Sequence, residues 1–221
     1  MSRIDFLQNQ HSTVKRNYLQ RVMEHDKAAC ASVAKRFGRD YWDGERKYGY
    51  GGYHYDGRWR NLAERLTAHY ALKSGERILD VGCGKAFLLY ELCQVTPGLE
   101  VVGLDISGYG IQNAKSEMRH LLVEGSADAL PFADNAFDCV LSLGTLHNLP
   151  LPRAMAAFSE LERVGRNGRK YVMVESWRSE AEKANLLYWQ LTCESFHDPD
   201  SWAWMAQAAG YRGDYGFIFF E

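Results

Sequence analysis

Apolar positions along this chain fall into short runs separated by polar turns. Ile78, Leu79 and Val81, interrupted by Asp80, form a run of strand length, and Gly82-Cys83-Gly84 follows; Phe87, Leu88, Leu89 and Leu92 then recur at the spacing of a buried helix face. That pattern predicts strand, tight glycine turn, helix. The alternation repeats downstream. Residues 99–104 read as a second strand ending in Asp105, and a helix over 109–118 carries Ile111, Ala114 and Met118 on one face. Residues 121–124 make a short third strand and 139–143 a fourth. A helix over 152–164 turns Met155, Phe158 and Leu161 inward and Arg153, Glu160 and Arg163 outward; a fifth strand over 170–174 then ends in Glu175. Asp198 and Pro199 open a last helix through Trp202, Trp204 and Met205. Residues 215–220 form a final strand, expected to be antiparallel at or near the sheet edge.

Upstream of this unit the pattern changes. Residues up to about Gly38 read as helix, begun by Asp5, Phe6 and Leu7 and continued by Val14, Tyr18, Leu19 and Val22. Next comes a stretch with neither helical nor strand period, in which Tyr41, Trp42, Tyr48, Tyr50, Tyr53, His54, Tyr55 and Trp59 alternate with glycines. Aromatics with polar tips favour surfaces that are apolar on one side and wet on the other. Two readings stay open: a glycine loop packed on the surface, or a wall lining the substrate side of a pocket. A helix over 60–72, marked by Leu62, Leu66 and Tyr70, leads back to the first strand.

Composition narrows the function. A chain of 221 residues suffices for one α/β domain with an added segment. A net charge of −2 and the lack of a basic run leave no electrostatic footprint for nucleic acid. The 5 cysteines show no C-x-x-C pair, and an odd number suits a reducing compartment better than a disulfide framework. No run reaches the ~20 apolar residues that span a bilayer, and the N-terminus lacks the apolar centre of a signal peptide. A soluble cytoplasmic protein is expected.

The glycine turn is the richest chemical signal. Glycines let the backbone bend and remove Cβ atoms from the path of a ligand, while the N–H groups opening the next helix present partial positive charge. A dinucleotide site usually has a further Gly or Ala where Phe87 stands, and the Asp80 carboxylate would repel a pyrophosphate while attracting an ammonium group. Asp105 follows at about the spacing of a ribose-binding acid, some 20 residues on; a capping role with Ser107 is the alternative. In an open α/β sheet, ligands collect at the C-terminal strand ends where strand order reverses. Thr145, His147, Asn148 and Glu175 are expected at that edge. His147 is chemically suited to accept a proton, and equally able to hold a loop.

With these residues in view, Asp80-Val81-Gly82-Cys83-Gly84-Lys85-Ala86 resembles the cofactor loop of class I S-adenosylmethionine-dependent methyltransferases, and the likeness runs over roughly residues 76–175. It implies a Rossmann-like, doubly wound, mostly parallel sheet of six or seven strands with helices on both faces. It also implies S-adenosylmethionine bound by Asp80, Gly82, Cys83 and Gly84, with Asp105 on the ribose and Ile106 against adenine. Asp128 would take the adenine amino group, Ala127 or Ala129 would supply backbone, and Leu143 would close the cofactor side. His147, Tyr50, Tyr55 and Glu175 are the catalytic candidates. Residues 1–60 resemble a lid, and 61–221 the cofactor-binding domain, with a helical insertion at about 178–197 that offers Tyr188, Trp189, Glu194 and His197 as wall residues. Pro131-Phe132 and the segment 134–138 resemble the small-molecule branch, and the Asn/Asp-Pro-Pro-Tyr signature of nucleic-acid amino methyltransferases is missing. The expected activity is methyl transfer to an oxygen or nitrogen of a small molecule, such as a sugar or natural-product intermediate, in a pocket closed within one chain or across a homodimer. A nicotinamide-dependent reductase and a non-enzymatic nucleotide-binding module are the competing readings.

Overall fold

The computed structural model describes residues 1–7 and 17–221. In chain order it contains α1 (Tyr18–Glu24), α2 (Lys27–Ala34), α3 (Arg39–Asp43), α4 (Arg60–Tyr70), β1 (Arg77–Val81), α5 (Phe87–Val95), β2 (Glu100–Asp105), α6 (Gly108–Gln112), β3 (Leu122–Glu124), β4 (Cys139–Leu143), α7 (Leu151–Val164), β5 (Lys170–Glu175), α8 (Glu180–Trp189), α9 (Pro199–Ala208) and β6 (Asp214–Ile218). The strands form one sheet in the order β3-β2-β1-β4-β5-β6, parallel throughout. Among the described residues no helix is long and apolar enough to cross a membrane.

The central strands are buried on both faces, which is why they read as apolar runs. Side chains alternate between two cores with period two. Ile78, Cys139, Leu141, Tyr171 and Met173 pack with Leu62 and Leu66 of α4 and Leu89 and Leu92 of α5. Leu79, Val81, Val140, Val172 and Val174 meet Phe158 and Leu161 of α7 and Trp202 and Met205 of α9 on the other face. Chain direction along the sheet reverses between β1 and β4, which are paired at Asp80 and Leu141. The C-terminal ends of these two strands frame the crevice.

Two expectations need correction. The final strand is parallel to β5, from Tyr171 opposite Asp214 to Glu175 opposite Ile218. The chain leaves β5 through α8 and then α9, whose Trp202 packs in the β5 core, so it re-enters the sheet from the end at which β5 began. The N-terminal residues do not start a helix. Instead Arg3 bridges Tyr215 in parallel, with Ile4 N–H donating to Tyr215 O at 2.8 Å and Tyr215 N–H to Ser2 O at 3.0 Å. Phe6 drives this placement: it is buried and meets Tyr171 edge to face at 4.8 Å. The segment covers part of an edge that would otherwise offer bare backbone groups. Val14 lies outside the described residues.

Helix α8 falls within residues 178–197 and packs against the N-terminal segment. Tyr18 meets Trp189 edge to face at 5.9 Å, and the guanidinium groups of Arg21 and Arg46 lie 4.5 and 5.1 Å from the Trp189 ring. Lys35 pairs with Glu194 at 2.5 Å, and Cys30, Ala34 and Leu191 form a small core between them.

Candidate active site

At the end of β1 the chain turns through Gly82 (φ 84°) and Gly84 (φ 53°), in the left-handed region that glycine tolerates. Space demands glycine as well: a Cβ on Gly82 would stand 1.8 Å from Thr145 Oγ1, and one on Gly84 would stand 2.8 Å from the Trp42 ring. Gly82 and Cys83 donate their N–H groups to Leu104 O at 2.6 and 3.1 Å, which locks the turn to β2. Ser142 Oγ of β4 donates to Val81 O at 3.0 Å beneath it.

Asp105 performs the structural task that the sequence left open. Its two oxygens accept from Gly84 N–H at 2.7 Å and Ser107 N–H at 2.8 Å. Ser107 Oγ caps α6 by accepting from Gly110 N–H at 2.9 Å. A carboxylate has about four acceptor positions, so Asp105 keeps capacity for a ligand's hydroxyls. Burial holds its pKa above the ordinary carboxylate range.

Asp80 differs in kind. It is 4 % exposed, and no hydrogen-bond donor or ion-pair partner among the described residues reaches it. Burial, and then the charge of Asp105, push its pKa up to about 7. A buried carboxylate in this state is stabilised by any cation that enters.

An aromatic roof from the N-terminal segment faces these acids. Trp42 donates from Nε1 to Ser107 Oγ at 2.8 Å and Phe37 O at 3.0 Å. Tyr50 stacks on Trp42 at 5.3 Å, Tyr41 meets Tyr50 edge to face at 5.2 Å, and Tyr53 bridges Tyr50 (4.5 Å) to Phe87 (5.1 Å). The Tyr41 and Tyr50 phenols are raised above their ordinary range, first by burial of the hydroxyl end, with the charges of Glu175 and Asp105 adding to it. The Tyr53 phenol is raised by burial and by Tyr50, with a contribution from Asp80. The Trp42 ring lies against Gly84 and Gly110, which seats the roof on the glycine turn and on α6. Tyr55 is directed elsewhere: its hydroxyl donates to Glu91 of α5 at 2.5 Å, and Lys115 Nζ lies 4.0 Å from its ring.

Beyond β4, His147 and Glu175 come together, with Nε2 to Oε2 at 3.4 Å. His147 is 3 % exposed and its Nδ1 accepts from Glu175 N–H at 3.4 Å, while its carbonyl accepts from the N–H groups of Glu194 and Ser195. Burial lowers the imidazole pKa to about 3, so the ring is neutral. Such a ring is a weak proton acceptor and lies beside the Glu175 carboxylate, itself 9 % exposed.

On the far side of the crevice Ile106 is 53 % exposed, giving an open apolar surface. Asp128 is bound in a fork by Arg153 (2.5 and 2.9 Å) and by Ser126 Oγ, and Arg153 holds its pKa down at about 2. Any adenine amino group at Asp128 shares the carboxylate with Arg153, which the helical pattern placed outward without showing a partner. Ala127 is buried, Ala129 N–H donates to Ser126 O at 3.2 Å, and Leu143 is half-buried at the mouth of β4. Sequence reasoning also missed Trp42 and Asp43 as contacts of the cofactor loop. Among the described residues no cluster of three or more His, Cys, Asp or Glu forms a metal site.

A doubly wound parallel sheet with an acid and a glycine turn at its reversal point, and a second acid ending the next strand, is the arrangement at which open α/β sheets collect ligands. Residues 72–210 match the family described as methyltransferase domain. The chain belongs to the class I S-adenosylmethionine-dependent methyltransferases. It is 33 % identical over 120 residues to the sterol 24-C-methyltransferase of Pneumocystis carinii, covering 50 % of this chain and 30 % of that protein. It is 33 % identical over 129 residues to the demethylmenaquinone methyltransferase of Symbiobacterium thermophilum, covering 54 % and 50 %. These matches span half or less of each relative's length. The crystal structure of the [4+2]-cyclase SpnF aligns with a TM-score of 0.54 at 19 % identity, over 95 % of this chain and 75 % of that one, a likeness of fold.

Proposed function

We propose that this chain binds S-adenosylmethionine in the β1–β4 crevice and catalyses methyl transfer to an oxygen or nitrogen of a small molecule. The observation that carries the reading is Asp80, a buried carboxylate without a partner beside a glycine turn, placed where an amino acid's ammonium group would satisfy it. When bound, the cofactor supplies a methyl group activated on a sulfonium. The chain's own residues bind and orient. Asp80 holds the ammonium, Asp105 offers its remaining lone pairs to the ribose, and Ile106 with Ala127, Asp128 and Ala129 borders the adenine. Leu143 closes the pocket wall.

Methyl displacement needs alignment more than acid–base help, since positioning supplies roughly 7–11 kcal/mol in favourable cases while a general base adds about 10²–10⁴-fold. The aromatic segment from Tyr41 to Tyr53 acts as the lid that provides this alignment, through Tyr50 and its neighbours. Glu175, with the neutral His147 ring beside it, receives the acceptor's proton. The matched relatives carry names that specify a sterol and demethylmenaquinone, which supports a small acceptor; the sterol enzyme's name specifies carbon, so the acceptor atom is the finer question. A cytoplasmic setting is part of the same reading.

Calorimetry with S-adenosylhomocysteine and with NADH tests the cofactor. Binding of the first and not the second is expected, and binding of NADH alone overturns the proposal. Methylated product from acceptor panels, with the new bond located by mass spectrometry and NMR, then fixes the atom.

A further inference from the structure

Lys85 follows Gly84 in the cofactor loop, yet its side chain is only 4 % exposed. Its ammonium leaves the loop and enters the N-terminal segment, where Nζ donates to both oxygens of Asp43 at 2.7 Å and to Tyr53 O at 2.9 Å. Asp43 accepts in addition from Tyr109 OH at 3.0 Å and Tyr53 N–H at 3.1 Å. One buried ion pair thus ties together α3, the Tyr53 loop, the glycine turn and α6. Its neighbours are the groups that matter for the crevice. Asp43 directly follows Trp42, whose ring lies against Gly84 and Gly110 and whose Nε1 donates to Ser107. Tyr53, held through both its N–H and its carbonyl, packs its ring on Tyr50 and on Phe87 at the start of α5.

Aromatic faces alone leave the roof free to slide, because stacked and edge-on contacts tolerate a range of offsets. A pair whose ammonium is buried and has all three donors used has one geometry, and removing Asp43 strands the Lys85 charge away from water. We propose that Asp43 and Lys85 form a latch that fixes the Trp42–Tyr50–Tyr53 roof over the amino-acid end of the cofactor crevice, making both of them positioning residues for cofactor retention. The inference rests on the cofactor reading given above. It assigns the pair a role on the donor side and none in the acceptor's chemistry. The Ile106 side of the crevice stays open, so the latch governs escape at the end it covers.

The test uses Asp43→Asn, Lys85→Met, the double variant and Lys85→Arg in the full chain. S-adenosylhomocysteine affinity is measured by calorimetry and its dissociation by stopped-flow tryptophan fluorescence, with near-UV circular dichroism confirming the fold. Each single charge-removing variant should bind at least about tenfold more weakly through faster release, and the double variant no more weakly than the worse single, since both remove one shared interaction. Lys85→Arg should stay within about threefold, its charge being retained. A merely structural pair would lower the melting temperature and leave affinity within about twofold, which overturns the proposal, as does additive loss in the double variant. Should the charge-removing variants not fold, Tyr109→Phe deletes one hydrogen bond to Asp43 and should speed release about two- to fivefold, with unchanged release overturning the latch. Failure of the unaltered protein to bind S-adenosylhomocysteine sinks the cofactor reading instead, so the two failures are distinct.

Discussion

Replacing Asp80 by Asn should make the empty protein more stable above neutral pH while weakening its hold on the cofactor. The folded-state pKa of Asp80 is about 7 against an ordinary 3.8. Because the folded state binds the proton more tightly than the unfolded one, the native protein loses stability as pH rises through that window, and the loss is complete above the folded value. The whole window is worth about 4 kcal/mol at 1.36 kcal/mol per pH unit, of which about 2–3 kcal/mol falls above pH 5. For a chain of this size that is on the order of 5–10 °C in melting temperature. Asn cannot ionise and escapes this loss. The melting temperature of the variant relative to the native protein should therefore rise by that amount between pH 5 and pH 8.5 in calorimetric scans without ligand. Saturating S-adenosylhomocysteine should narrow that gap at pH 8.5, since its ammonium group loses a charge-assisted hydrogen bond in the variant, worth about 1.5–3 kcal/mol or roughly 10–100-fold in affinity. A pH-independent gap between the two proteins would refute the buried, unpaired state of Asp80. Equal cofactor affinity would refute its role.

Further expectations concern the acceptor side and the turn. Glu175→Gln should reduce kcat about 10²–10⁴-fold if its carboxylate takes the acceptor's proton, with S-adenosylhomocysteine affinity unchanged by calorimetry; retained turnover removes Glu175 from the chemistry. With its imidazole pKa near 3, His147 should contribute no ionisation between pH 5.5 and 7.5, so kcat/KM profiles of the native protein and His147→Gln should share one shape at different heights, and a limb lost only in the variant would contradict the neutral assignment. Gly84→Ala places a β-carbon 2.8 Å from Trp42 at φ 53°, and should cost at least about 1–3 kcal/mol in denaturant unfolding while weakening cofactor binding; an undiminished midpoint would show that the roof can yield there.

Much of the sheet was readable because its signal is local. The continuous apolar runs of β1, β4 and β5 and the glycines at the first turn depend on neighbours a few residues apart, and these strand boundaries fell within a residue or so of those expected. Asp105 was placed correctly at the end of β2, though its two backbone partners were visible only in three dimensions. What failed was non-local. The direction of β6 depends on the end from which α9 returns the chain, and no side-chain pattern within the strand encodes that. Phe6 and Leu7 read as a helix start because two adjacent apolar residues look the same whether they open a helix or anchor an edge. Lys85 and Asp43 are 42 residues apart and lie in segments without periodicity, as do Gly84 and Trp42. Asp128 and Arg153 were both noticed, yet their pairing required the fold.

The layer in which α1 and α2 meet α8 carries a consequence for engineering. Trp189 lies beside guanidinium groups contributed by Arg21 and Arg46, and Lys35 reaches Glu194, so two stretches far apart in the chain make one continuous wall. Exchanging only the front segment with that of a related enzyme would take those two guanidinium groups from Trp189, and exchanging only the later one would take the ring from them. The two segments are matched to each other, and chimeras should be cut to carry both together.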